Sequence, residues 1–136
     1  MATGPRGLRY FVDETSLGLG KCLAAARRDL VHPGHARIPS VPTGTLDTDW
    51  MPTVALLGLV VISRDRHIRT KPAELAAFRT HGLRVFWIAG KRDLSNWEYL
   101  VRIVRWWDRL EEIVHDRGPG PWFYAINEGS VTEIPV

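Results

Sequence analysis

The chain has little that would tie it to a membrane, an oxidising compartment or a disordered state. Its 136 residues include one cysteine, Cys22, which cannot close an internal disulfide. That residue lies in a helix-like run with no histidine or second cysteine near it in sequence. The expectation is a buried small hydrophobe rather than a reactive thiol. No apolar stretch reaches the roughly 20 residues that cross a bilayer, and the longest, over 54–62, falls well short. Arg6 and Arg9 stand near the N-terminus, but no long apolar segment follows them, so no signal peptide is expected. Internal repeats and low-complexity tracts are missing. His32, His35, His81 and His115 have no metal-ligating spacing with one another. These absences leave a cytoplasmic globular protein without a membrane role.

What is present fits that class. Hydrophobic residues make up 45% of the chain and are spread along it, which argues against disorder and for one domain over 1–136. The net charge of +3 is too small for an obligate DNA-coating protein but is compatible with a polyanionic substrate. Hydrophobic patterning predicts a strand over 9–12 ended by Asp13-Glu14, and then a helix over 16–30. His32-Pro33-Gly34-His35 breaks the chain, and Ile38 and Val41 mark a short second strand that Pro39 and Pro42 confine to an edge. Residues 44–49 lead into a helix through Gly58, with Pro52 required in its first turn because a deeper proline costs about 3 kcal/mol. A buried strand follows over 59–63. Pro72 opens a helix over 73–80 that Gly82 stops, and 83–89 form a fourth strand. Ser95 and Glu98 make a capping box for the longest helix, which runs to about His115. Segments 122–126 and 131–134 close the chain as a hairpin. Strands alternating with helices indicate a mainly parallel α/β sheet covered on both faces.

The acidic residues carry the functional information. Asp13 and Glu14 follow one strand, Asp47 and Asp49 open a helix, and Asp65 follows Val60-Val61-Ile62-Ser63. In an open α/β sheet the carboxyl ends of strands share one crevice. Carboxylates gathered there repel one another unless a cation sits between them, and hard oxygen donors suit Mg²⁺ or Mn²⁺. Each acid also has a plainer reading, since Asp13, Asp47 and Asp49 are all residues that cap helices. Arg64, Arg66, Arg69 and Lys71 ring Asp65 with positive charge, although such a run is often only a solvated turn.

The strings Phe11-Val12-Asp13-Glu14, Gly44-Thr45-Leu46-Asp47-Thr48-Asp49-Trp50 and Val60-Val61-Ile62-Ser63-Arg64-Asp65-Arg66 resemble, in order and spacing, the PIN-like nucleases. They look most like a branch with a D-E opening, a G-x-x-D-x-x-W segment and V-V-I-[ST]-x-D, and Ile68–Leu75 also fits it. The resemblance spans about 8–89. It implies a three-layer α/β/α domain whose carboxylates bind one or two Mg²⁺ or Mn²⁺ ions. It further implies a ribonuclease, of the kind represented by VapC-type toxins that pair with a cognate antitoxin protein.

Hydrolysis of an RNA phosphodiester needs an activated water and neutralised phosphate charge, which bound metal supplies. On this reading Asp13 and Asp65 are direct ligands, and either Asp47 or Asp49 is a third. Glu14 completes the catalytic set by orienting a water. Ser63 orders a water or fixes an aspartate, while Arg64, Arg66 and Lys71 hold the RNA backbone. His67 is a weaker general-acid candidate. At least one of Trp106 and Trp107 belongs to the core, and Trp87 sits in a strand. Exposed parts of 97–107 would serve an antitoxin or a homodimer contact. Two other readings stand beside the nuclease. One is a catalytically silent PIN-like module that binds RNA or protein. The other is a receiver-like regulatory domain using Asp13, Glu14, Asp65 and Lys91.

Overall fold

Alternating burial sorts the strand side chains onto two faces of one sheet. The computed structural model describes residues 7–90 and 93–136. Strands β1 (Tyr10–Val12), β2 (Leu30–Val31), β3 (Val60–Ser63), β4 (Arg84–Ile88), β5 (Trp122–Ile126) and β6 (Val131–Glu133) pair in the order β2-β1-β3-β4-β5-β6. The first five are parallel, and β6 closes the sheet antiparallel to β5. Every side chain of β1, β3 and β5 is buried, as a parallel sheet covered on both sides requires. Tyr10, Val12, Val60, Ile62, Phe86 and Ile88 pack on one face with helices α1 (Leu17–Ala26) and α5 (Asn96–Arg117). Phe11, Val61, Val85 and Phe123 pack on the other with α2 (Asp47–Leu56) and α4 (Pro72–His81). Two cores on opposite faces make the three-layer α/β/α fold expected from the sequence.

Local signals explain most element ends. The Ser95 hydroxyl accepts the Glu98 amide at 3.1 Å and the Glu98 carboxylate accepts the Ser95 amide at 3.1 Å, the capping box that starts α5. One stripe of α5, through Tyr99, Ile103, Trp107, Leu110 and Ile113, is buried at helical spacing. Pro72 occupies the first position of α4, and Gly82 ends it at φ +62, which a glycine adopts without strain. The 122–133 hairpin forms as expected. No helix among the described residues is long and apolar enough to cross a membrane.

Five expectations are corrected. Helix α1 stops at Ala26 because Arg27 turns extended and its guanidinium grips Asp29 at 2.8 and 2.7 Å, so Leu30 enters β2. The second strand is therefore Leu30–Val31, not a segment around Ile38 and Val41. Those two are buried in turns closed by the Gly34 amide on the Val41 carbonyl at 2.8 Å. Pro52 is the sixth residue of α2, beyond the first turn. Thr48 loses its helical amide partner there, and burial of Trp50, Met51 and Val54 offsets the loss. Cys22 is exposed, because α1 buries the face of Leu19, Gly20 and Leu23 instead. The Arg-rich turn contains a further helical turn, α3 (His67–Thr70), anchored by buried Ile68. Lys91 lies outside the described residues.

Phe86 is fully buried, with its ring 5.2 Å from that of Trp122 and 6.0 Å from that of Tyr124. Phe86→Ala is expected to cost about 3–5 kcal/mol, read from the urea midpoint. A loss below about 1 kcal/mol would contradict this placement of β4.

Candidate active site

The order β2-β1-β3-β4-β5 reverses direction between β1 and β3, and a crevice opens at their carboxyl ends. Asp13 leaves β1 at that edge, its amide continuing the ladder to the Ile62 carbonyl at 3.2 Å. Its side chain is 1% exposed. The Thr15 hydroxyl donates to Asp13 Oδ1 at 2.5 Å, and the Ser63 hydroxyl donates to Oδ2 at 2.6 Å. Each hydroxyl oxygen in turn accepts an amide of the next turn, Ser63 from Asp65 at 2.8 Å and Thr15 from Arg64 at 3.2 Å. Burial drives the Asp13 pKa up to about 7; the two hydroxyls pull it down, and Asp47 and Asp65 push it further up.

In front of this buried carboxyl three others meet. Asp47 is the first residue of α2, Asp65 follows β3, and Glu74 is the third residue of α4. One carboxylate oxygen from each lies within 4.8 Å of the other two. Oxygens around an octahedral Mg²⁺ stand about 3.0 Å apart when adjacent and about 4.2 Å apart when opposed, so the three carboxylates would draw together to share one such ion. The indole nitrogen of Trp50 donates to Asp47 Oδ1 at 3.0 Å and holds it in place. Asp65 Oδ1 accepts the His67 amide at 2.8 Å and lies 3.1 Å from His67 Nδ1. Glu74 is buried, and its Oε2 has no partner among the described residues. Burial raises the Glu74 pKa to about 8, with Asp47 and Asp65 adding to the shift and Lys71 opposing it. Burial likewise raises Asp65, the His67 amide opposes it and Asp47 adds to it. An orphaned buried oxygen within a set of mutually repelling hard donors suits a divalent cation.

The other residues singled out by the sequence are placed differently. Glu14 is exposed and accepts the Gly44 amide at 2.6 Å, tying down the segment before α2. Asp49 is exposed in the first turn of α2, outside the three-carboxylate set, and Leu46 rather than either aspartate is the N-cap. Ser63 is buried between Asp13 and the Asp65 amide. Arg64 bonds the Thr15 carbonyl at 3.3 Å, pairs with Asp93 and lies over Tyr99. Arg66 is exposed at the start of α3, and Lys71 is exposed at the start of α4. Trp50, Trp107 and Trp122 are core residues, Trp87 and Trp106 are half-buried, and Trp97 is 71% exposed. Glu74 was not among the expected site residues. A glutamate in a helix's first turn reads as an ordinary dipole partner, and only the packing of α4 beside α2 brings it to the cluster.

A family model described as a PIN-like domain matches residues 8–90, the stretch that holds all four of these carboxyls. Neither a curated protein nor a solved structure matches the chain.

Two measurements probe the cluster. Folded-state pKa values of about 7 for Asp13 and about 8 for Glu74 lie above the ordinary values, so the native state holds protons that the unfolded chain has released. That stability is complete below about pH 4 and is lost as pH rises through 7–8. In EDTA the thermal midpoint should fall between pH 5.5 and 8.5, while the gain produced by added Mn²⁺ should grow over the same interval. A flat EDTA profile, with a pH-independent Mn²⁺ gain, contradicts this electrostatic picture. Trp50→Phe keeps an aromatic ring in the core, at some packing cost, but removes the bond to Asp47. In protein shown to be folded it is expected to weaken Mn²⁺ binding about 10-fold in a calorimetric titration. Unchanged affinity would remove Trp50 from the site.

Proposed function

The chain belongs to the PIN-like domain family, and from that premise we propose that it is a Mg²⁺- or Mn²⁺-dependent endoribonuclease. The observation that carries the reading is the convergence of Asp47, Asp65 and Glu74 at the β1–β3 crevice with Asp13 buried behind them. Asp47, Asp65 and Glu74 would hold the ion. Asp47 takes this role rather than Asp49, because Asp47 is the member of the pair inside the cluster. When bound, a divalent ion neutralises charge on the phosphate and acidifies the attacking water. Asp13 positions Asp65 through Ser63 and adds negative charge behind the site. His67, in contact with Asp65, is the rim group able to pass a proton to the leaving oxygen. Arg66 and Lys71, both exposed beside the cluster, would meet the RNA backbone, and Arg64 braces the turn between them and Asp93.

Within this reading the protein is the toxin of a type II pair, in keeping with the resemblance of its motifs. The exposed strip Trp97, Val101 and Val104 on α5 supplies an apolar surface for a cognate antitoxin. The receiver-like reading is less well supported. It needs Glu14 at the cation, whereas the Glu14 carboxylate is engaged with the Gly44 amide.

The test is cleavage of total cellular RNA by purified protein with Mn²⁺ or Mg²⁺, with and without chelator. Asp65→Asn, Asp47→Asn and Glu74→Gln should each lower the rate at least about 100-fold while retaining the fold by circular dichroism. Glu14→Gln and Asp49→Asn should stay within about threefold of the parent. Failure of folded, metal-loaded protein to cut any RNA would leave the silent binding module as the better account.

A further inference from the structure

Among the cations around Asp65, Arg69 has an unusual environment. Arg64 is committed to Asp93 and the Thr15 carbonyl. Arg69 is half-buried, yet no carboxylate among the described residues lies within ion-pairing distance of it, and its buried Nε has no acceptor among them. Its contacts are aromatic instead. The guanidinium carbon lies 5.4 Å from the Trp87 ring centre and 5.7 Å from that of Phe123. Trp87 is itself pinned, its indole nitrogen donating to the Arg64 carbonyl at 3.1 Å. A partly desolvated cation without a counter-anion is costly, and ring faces compensate only part of that cost. Such a group is preorganised for an anion, because its planar fork is already held.

The space in front of it indicates which anion. Thr15, Asp65, Arg66, His67, Arg69 and Trp87 line one open groove of about 1090 Å³. That is larger than a site for one small metabolite. Asp65, one of the three clustered carboxylates, lines the same groove, so an extended polyanion reaching Asp65 along it would also pass Arg69.

We propose that Arg69, seated on Trp87, is the receptor for a phosphate of the substrate strand neighbouring the one that is cut. The proposal rests on the nuclease reading above and adds to it a positioning residue that holds the strand in register. Arg69 does not touch the reacting atoms. Its contribution is to binding, and therefore to KM more than to kcat.

The experiment measures binding apart from cleavage. A short fluorescein-labelled single-stranded RNA is titrated by anisotropy in EDTA across a salt series, with the wild type, Arg69→Gln and Arg69→Lys. Loss of one phosphate contact should weaken binding of the glutamine variant about tenfold and reduce its log–log salt slope by about 0.7. The lysine variant keeps the charge and should keep the slope, with lower affinity. The same RNA carrying one neutral methylphosphonate linkage at a time gives a reading in the wild type that needs no variant: one linkage beside the cleavage site should weaken binding more than the others. In folded Arg69→Gln that same linkage should have no effect. Equal affinity and slope for wild type and Arg69→Gln, or a scan in which no linkage stands out, overturns the subsite while leaving a cleaving enzyme intact. A wild type that neither binds nor cuts RNA overturns the nuclease reading, and the subsite with it.

Discussion

The site is organised around one buried carboxyl. Asp13 is almost completely removed from water at the end of β1, where an unpartnered carboxylate would be strongly destabilising. Two hydroxyls meet it, and both are bifunctional: Thr15 and Ser63 each donate to Asp13 while accepting an amide from the turn after β3. The turn is thereby fixed to β1 as well as to its own strand. Asp65 and the α3 segment that carries His67 and Arg69 leave from this turn. Burial outweighs the two hydroxyls and raises the pKa to about 7. A nearby cation would convert it to a full carboxylate at small electrostatic cost.

Topology brings the remaining acids to the same place. In a parallel sheet, a helix that follows a strand's return path begins at the strand's carboxyl edge, with its N-terminus toward the crevice. Helices α2 and α4 both pack on one face, and their first turns supply Asp47 and Glu74. Helix N-termini tolerate negative charge, since the aligned peptide dipoles leave positive potential there. The opposite face has a different composition. Its polar residues are taken up by contacts between layers, such as the Tyr10 hydroxyl on Glu111 at 3.0 Å, the Arg9–Glu111 pair at 3.0 Å and Arg27 over the Trp107 ring. Asp47, Asp65 and Glu74 converge at the α2–α4 side, whereas Asp29 and Glu111 on the other side are met by Arg9 and Arg27.

How much of this was readable in the sequence depended on the range of the interaction responsible. Strands β1 and β3 to β6, the Ser95–Glu98 box and the Pro72 and Gly82 boundaries are set within a few residues, and these were legible. Asp13 and Asp65 were legible as acids following strands, and the PIN-like motifs placed them in order. Choosing between Asp47 and Asp49 needed the rotational phase of α2, fixed by burial of Trp50 and its bond to Asp47. The same blindness to phase turned Cys22 inward. Ile38 and Val41 misled because buried residues in turns carry the same apolar signal as a strand. The end of α1 depended on the Arg27–Asp29 pair, which a hydrophobic pattern does not register. Glu74 stood inside the Ile68–Leu75 stretch that fits the PIN-like branch but was given no role, because only contact between α2 and α4 brings it to the cluster.

Without a cation, the cluster and the buried acid behind it relieve their charge by holding protons. Asp47 lies close enough to Asp65 and Glu74 to raise the pKa of both, on top of the larger effect of burial. The unpartnered Glu74 oxygen shows that protons alone leave the donor set incomplete. A divalent ion would replace those protons and satisfy the orphaned oxygen, so ion binding and proton release become two descriptions of one event. Asp13 then differs from the outer three in kind. Its two oxygens are already satisfied by hydroxyls, so it needs no ion to be hydrogen-bonded, yet its charge adds to the field in which the ion would sit. Thr15 and Ser63 thus give Asp13 a structural task, tying the turn after β3 to β1, while Asp47, Asp65 and Glu74 are the carboxylates brought together in front of it.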